Sequence, residues 1–223
     1  MRKLRNAGLP PCNPGWQTRK RSDGSMPRIA ITEVSIDISG ITLPATYPFA
    51  LWDALLHHAP RLGESTAVGI VPFRLSGNEG KLLLAKRTKL VIRLPHEMAE
   101  VAAALCGKML EIDGHQIQLG SSHVRALQPH PTLHAPLVTG SEDELAFMRE
   151  IRSDLDAMGV GANLICGKRS ILKGGEREIR GYSLVVHDLK PEESLRLQGN
   201  GLGAARCYGC GVFLPYKAIT GLD

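Results

Sequence analysis

Aromatic residues are scarce in this chain: two Trp, four Tyr and four Phe among 223 positions. The core must therefore rest on Leu, Ile, Val and Ala, and few rings remain on which single-stranded bases could stack. No apolar run approaches the roughly 20 residues that span a bilayer, and the N-terminus lacks a signal-peptide h-region. Neither a membrane partner nor export is expected. A disulfide framework is also missing. The five cysteines (Cys12, Cys106, Cys166, Cys207 and Cys210) are odd in number and irregularly spaced, which favours a reducing, cytoplasmic setting.

An excess of one charge is absent from the body of the chain. The formal net charge is +5, but Arg2, Lys3, Arg5, Arg19, Lys20 and Arg21 against Asp23 account for all of it. Beyond residue 25 basic and acidic side chains balance, so global pI says nothing about nucleic acid. Any cationic site there must arise by clustering. Residues 1–25 read as a disordered basic tail, with Met26 as a natural start.

Periodicity organises the rest. Residues 27–39 alternate as a strand, with Ile29, Ile31, Val34, Ile36 and Ile38 marking it. Residues 48–59 read as a helix stopped by Pro60. Strands are expected over 68–75 and 81–94, the second long or bent near Thr88. A short helix over 96–106 and a strand pair around Asp113-Gly114 complete a β-α-β-β-α-β unit. The second half repeats the order: a strand over 133–138, a helix capped by Ser141 with Glu144 closing a capping box, and a hairpin of 162–172 with 178–187. A short helix over 192–198 and a strand over 210–217 follow. Two such units in tandem predict an α+β fold of two ferredoxin-like domains, 26–127 and 132–223, joined through Gln128–Pro131.

The last third also holds GLGAARCYGCG, residues 201–211, with four glycines in eleven positions. A loop so rich in glycine loses much entropy on ordering, so something must reward its order. A dinucleotide fingerprint does not fit, because Arg206 stands where the third glycine belongs. Cys207-x-x-Cys210 could ligate zinc or act in thiol redox, but no second pair completes a four-ligand site. Two readings remain: backbone N–H groups cradling a phosphate chain with Arg206 supplying charge, or an irregular turn with no ligand.

The spacing G-L-G, five residues, G-C-G, then Val212-Phe213-Leu214-Pro215 resembles the C-terminal signature of the RAMP superfamily of CRISPR-associated proteins. Within it, the chain is similar to the repeat-processing endoribonucleases that cut precursor CRISPR RNA. The resemblance covers about residues 27–217 and implies tandem ferredoxin-like domains of RAMP type with a C-terminal glycine-rich loop. It implies RNA cleavage without metal or cofactor, in which a 2′-hydroxyl attacks the adjacent phosphate to leave a 2′,3′-cyclic phosphate. It also implies CRISPR repeat stem-loop RNA as partner, with retention among the backbone subunits of an effector complex. A non-catalytic RNA-binding subunit on the same scaffold is the alternative.

Such chemistry needs a proton acceptor, a proton donor and cations for the developing phosphorane charge. The family places a histidine on or just after the first helix, where this chain has His57 and His58. Both fall off the apolar stripe centred near Trp52 and Leu56, and both sit at the helix C-terminus, where the macrodipole favours imidazolium. His57, in His-x-x-Pro, matches one branch of the family. Other members carry a histidine where this chain has Tyr47 or Val71, so Tyr47 is the third catalytic candidate, in an orienting role. Some members use basic residues instead. RNA-binding candidates are Gly201, Gly203, Arg206, Gly209 and Gly211, with the hairpin cations Lys168, Arg169, Lys173, Arg177 and Arg180 suited to gripping a stem. A further basic run, Lys81, Lys86, Arg87, Lys89 and Arg93, punctuates the first half.

Overall fold

The computed structural model describes residues 30–73, 76–78 and 81–217. The expected tail at 1–25 and the start at Met26 lie outside the described residues. Elements follow in the order β1 (Ile31–Ser39), β2 (Thr42–Leu43), α1 (Tyr47–His58), β3 (Gly69–Ile70), β4 (Ser76–Asn78), β5 (Lys81–Leu83), β6 (Lys89–Pro95) and α2 (Ala99–Ala103). Then come β7 (Met109–Ile112), β8 (His115–Ala126), β9 (Leu133–Thr139), α3 (Glu144–Ala157), β10 (Asn163–Gly174), β11 (Arg177–His187), α4 (Pro191–Asn200) and β12 (Leu214–Pro215). Among the described residues no helix is long and apolar enough to cross a membrane.

Two antiparallel sheets carry the architecture, ordered β3-β6-β1-β8-β7 and β10-β11-β9-β12. In each, the unit's first strand lies inside, flanked by its third and fourth. That is the ferredoxin-like order, twice. Alternation decides which face is covered. Val34 and Ile36 of β1 pack with Leu51, Trp52 and Leu55 of α1, while Glu33, Ser35 and Asp37 point to the opposite face. In the second domain, Leu184 and Val186 of β11 join Phe147, Ile151 and Leu155 of α3, Leu197 of α4 and Phe213.

Several elements depart from the sequence expectations. The run 81–94 is two strands, because a turn closed by Thr88 N–H on the Ala85 carbonyl (2.9 Å) interrupts it. β5 then pairs with β2 and β4 in a separate three-stranded sheet. β3 covers only Gly69–Ile70: Val71 still donates to Val91, but Pro72 has no N–H to continue. Asp143, not Ser141, caps α3, its carboxylate accepting from Ala146 N–H at 2.8 Å. Ser141 instead donates its N–H to Glu150, and Glu144 becomes the first helical residue. The last strand shrinks to Leu214–Pro215, since Cys210 and Gly211 belong to the preceding loop.

Candidate ribonuclease site and nucleic-acid interface

Tyr47 opens α1 and His57 and His58 close it. Both histidines are exposed, with ring centroids 5.0 Å apart in an edge-on arrangement. At about 100° per residue, Phe49, Asp53 and His57 form one row along α1, whereas His58 prolongs the row of Leu51. Tyr47 does not share that surface. It is buried, stacks on Phe73 at 5.3 Å, and its hydroxyl accepts the Phe73 N–H at 3.1 Å. Burial pushes its phenol up to about 12. Its place is the packing between α1 and the segment that follows β3.

The glycine-rich segment explains itself against its own chain. Gly201, Gly203, Gly209 and Gly211 all adopt positive φ. At Gly203 a Cβ would lie 2.5 Å from Thr139 Oγ1 and 2.6 Å from its carbonyl oxygen; at Gly211 it would run into the Leu202 carbonyl. Gly209 sits against Ile70 and Pro72, and Gly201 against the Gly211 carbonyl. Hydrogen bonds fix the loop to β9, from Ala204 N–H to Thr139 Oγ1 (2.6 Å) and from Gly211 N–H to Leu137 (2.7 Å). The side-chain-poor surface therefore faces β9 and β3, not outward, and the loop clasps the two domains together. Gly211→Ala is expected to lose about 1–3 kcal/mol of stability from the left-handed backbone alone, read by urea unfolding. An unchanged midpoint would mean the loop is not held as described.

Arg206 is turned inward as well. Its Nη1 donates to the carbonyls of Gly199 (2.7 Å) and Asn200 (2.6 Å), the last turn of α4. Among the described residues its Nε and Nη2 meet no acceptor. Cβ atoms on Gly69 and Gly201 would lie 3.3 and 3.1 Å from that Nε. Burial, then the charge of Arg93, lowers its pKa to about 10. The expected phosphate-facing cation is thus a buried cap on α4. Cys207 and Cys210 are buried too, and burial pushes the Cys210 thiol up to about 12. Among the described residues no cluster of three His, Cys, Asp or Glu forms.

Arg93 departs from its expected solvated row in the same way. It is 1% exposed. Its Nε bonds Glu33 at 2.9 Å, and its Nη1 reaches the carbonyls of Phe213 (2.5 Å) and Gln198 (3.5 Å). Two guanidinium groups, one per domain, thus meet the carbonyl-rich C-terminus of α4, where cations are favoured. Arg87 and Lys89 of the same run do reach the surface. With Arg125 and His130 they line a groove of about 540 Å³ between the open face of the first sheet and the second domain.

The hairpin of β10 and β11 carries the remaining cations. Arg169 and Arg180 share Glu142 at 2.7 and 3.1 Å, Lys173 approaches Glu178 at 3.8 Å, and Arg180 also pairs with Glu178. The Arg169 hydrogen bond holds the Glu142 carboxyl below the usual range. Such exposed bridges are weak and screened by salt, so phosphate oxygens can take the place of the carboxylates. Lys168 stands with Gly167 on a bulge opposite Ser183. Arg177 alone crosses to the other domain: it bonds Asp53 of α1 at 2.8 Å and lies 4.7 Å over the Phe49 ring. Phe49 in turn packs on Tyr208 of the glycine-rich loop at 4.7 Å. The loop, α1 and the hairpin tip therefore converge. Sequence reasoning missed Glu33, Asp53, Phe49 and Gln198 in these roles, and only the Asp53-to-His57 spacing on one helix hinted at them.

Tandem ferredoxin-like domains closed by a C-terminal glycine-rich clasp, with a basic hairpin beside them, define a fold of RAMP type. A solved structure described as "An RAMP protein binding different RNA substrates" shares this fold, with a TM-score of 0.60 at 17% identity over 84% of this chain and 100% of that one. So does a protein from a Cas6-related gene of Pyrococcus furiosus, at 0.56 and 15% over 82% and 98%. Residues 32–218 match the family described as Cas6 Crispr. The CRISPR-associated endonuclease Cas6 of Myxococcus xanthus (strain DK1622) is 34% identical over 189 residues, 84% of this chain and 82% of that protein. The chain belongs to the Cas6 family.

Proposed function

We propose that this chain is an endoribonuclease that binds a CRISPR repeat stem-loop and cuts precursor CRISPR RNA into guide RNA. The observation that carries the reading is convergence: an exposed imidazole, His57, ends the row of α1 that the basic hairpin of the second domain meets through Arg177. In the reaction the 2′-oxygen attacks its own phosphate, the P–O5′ bond breaks, and a 2′,3′-cyclic phosphate and a 5′-hydroxyl result. The proton lost from the 2′-OH goes to a base, and a proton is supplied to the leaving O5′. In this reading His57 makes one of these transfers, with a smaller part for His58 on the neighbouring face of the helix.

The stem lies along the hairpin, where Lys168, Arg169, Lys173 and Arg180 track phosphates once Glu142 and Glu178 are displaced. The basic groove of Arg87, Lys89 and Arg125 extends the cationic surface around the molecule. After the cut the 3′ stem-loop stays on the hairpin, which suits a subunit held in an effector complex. Incubation with the repeat RNA of its own locus tests this. Cleavage should persist in EDTA and vanish when the scissile 2′-OH is replaced by hydrogen, with binding retained. A requirement for added Mg²⁺ would refute the mechanism, and tight binding without any cut would make the chain an RNA-binding subunit.

A further inference from the structure

We infer that Arg177 is a catalytic cation delivered to the scissile phosphate from the second domain, and that Asp53 is the positioning residue that aims it. The inference rests on the endoribonuclease reading above and assigns the cation that the reaction requires.

Strand alternation separates Arg177 from the other hairpin cations. Arg169 pairs with Tyr182, Ile171 with Arg180 and Lys173 with Glu178 across the β10–β11 ladder. Cross-strand partners share a face, so Arg169, Lys173, Arg180 and Glu178 stand together on the face of Tyr182. Arg177, paired with Gly174, points the opposite way, toward α1. Gly174 is buried there, and a Cβ on it would collide with the Phe49 ring. The missing side chain lets Phe49 in, and the Arg177 guanidinium stacks on that ring. Asp53 then grips the guanidinium with both oxygens, at 2.8 and 3.5 Å. That bond, foremost, raises the Arg177 pKa.

The grip fixes where the charge lies relative to the chemistry. Asp53 is one turn before His57, about 6 Å along the axis and about 40° around it, whereas His58 lies about 140° around. A stem-gripping arginine has no need of an acid and a ring from the other domain. A guanidinium presented beside an imidazole does, since its N–H groups must meet the non-bridging phosphate oxygens as the O2′–P bond forms and the P–O5′ bond breaks. Asp53 and the Tyr208 side chain take part of the Arg177 fork, and the third of the side chain that stays exposed is the part that meets the phosphate.

Single-turnover cleavage of the repeat RNA at saturating protein tests this, with affinity measured separately on the 2′-deoxy RNA. Arg177→Ala should cut about 10²-fold more slowly, with affinity within about threefold of the parent, and millimolar guanidinium ion should restore part of the rate. Arg177→Lys, which keeps the charge without the fork, should fall between and covers the case of a poorly folded alanine variant. Asp53→Asn should cost about tenfold in the parent and nothing further in Arg177→Ala. Parental rate at saturation, a loss confined to affinity, or a rate loss that neither guanidinium nor lysine relieves would each overturn the assignment. If the parent itself does not cut, the enzyme reading fails instead, before any variant is compared.

Discussion

His57→Ala is expected to slow cleavage about 10²- to 10⁴-fold at saturating protein, the usual worth of a positioned acid or base. Affinity for the 2′-deoxy RNA should hold, because His57 is exposed and, among the described residues, its ring contact is with His58 and not with the hairpin cations proposed to hold the stem. The row Phe49–Asp53–His57 faces the hairpin, and Arg177 spans its first two members. His58, on the row of Leu51, points away from that flank and should cost less, on the order of tenfold. A His58 effect larger than that of His57 would reverse the assignment of the active flank. Equal, negligible effects would hand the chemistry to arginine.

Arg93→Ala should be the most destabilising single change, by about 3–5 kcal/mol, lowering the thermal midpoint by on the order of 10 °C. Removing this guanidinium strips Glu33 of its buried partner and leaves it only Arg125, whose side chain is 62% exposed. It also uncaps Gln198 and Phe213, whose carbonyls then face the interface without donors. The loss lies between domains, so limited proteolysis should open the linker around residue 128, which Gln198 Nε2 otherwise holds through the Gln128 carbonyl. Pairing Arg93→Met with Glu33→Gln should recover part of the loss, because Glu33 is then no longer a buried charge without its buried partner. A midpoint within a degree of the parent for Arg93→Ala would show that the clamp contributes nothing.

The histidines and the hairpin were legible as candidates because their signals are local. Exposure of His57 and His58 follows from a helical period that runs only twelve residues, and the hairpin from two alternating runs around Gly174-Gly175. The glycine signature was legible as a pattern but not in its cause. Its close approaches outside the segment are to Thr139, Ile70 and Pro72, and nothing near residues 201–211 names those neighbours. Arg93 and Arg206 read as surface cations because they alternate or flank like their neighbours, yet both are buried at the domain interface.

From the sequence alone came two β-α-β-β-α-β units and the family signature, since side-chain period and turn chemistry act over neighbouring residues. Only the tertiary structure decided which sheet face met the second domain, which arginines went inside and which one reached α1. Those outcomes rest on contacts between residues more than a hundred positions apart, such as Arg93 with Phe213 and Asp53 with Arg177. Their energies come from docked surfaces and buried charge, which no local period encodes.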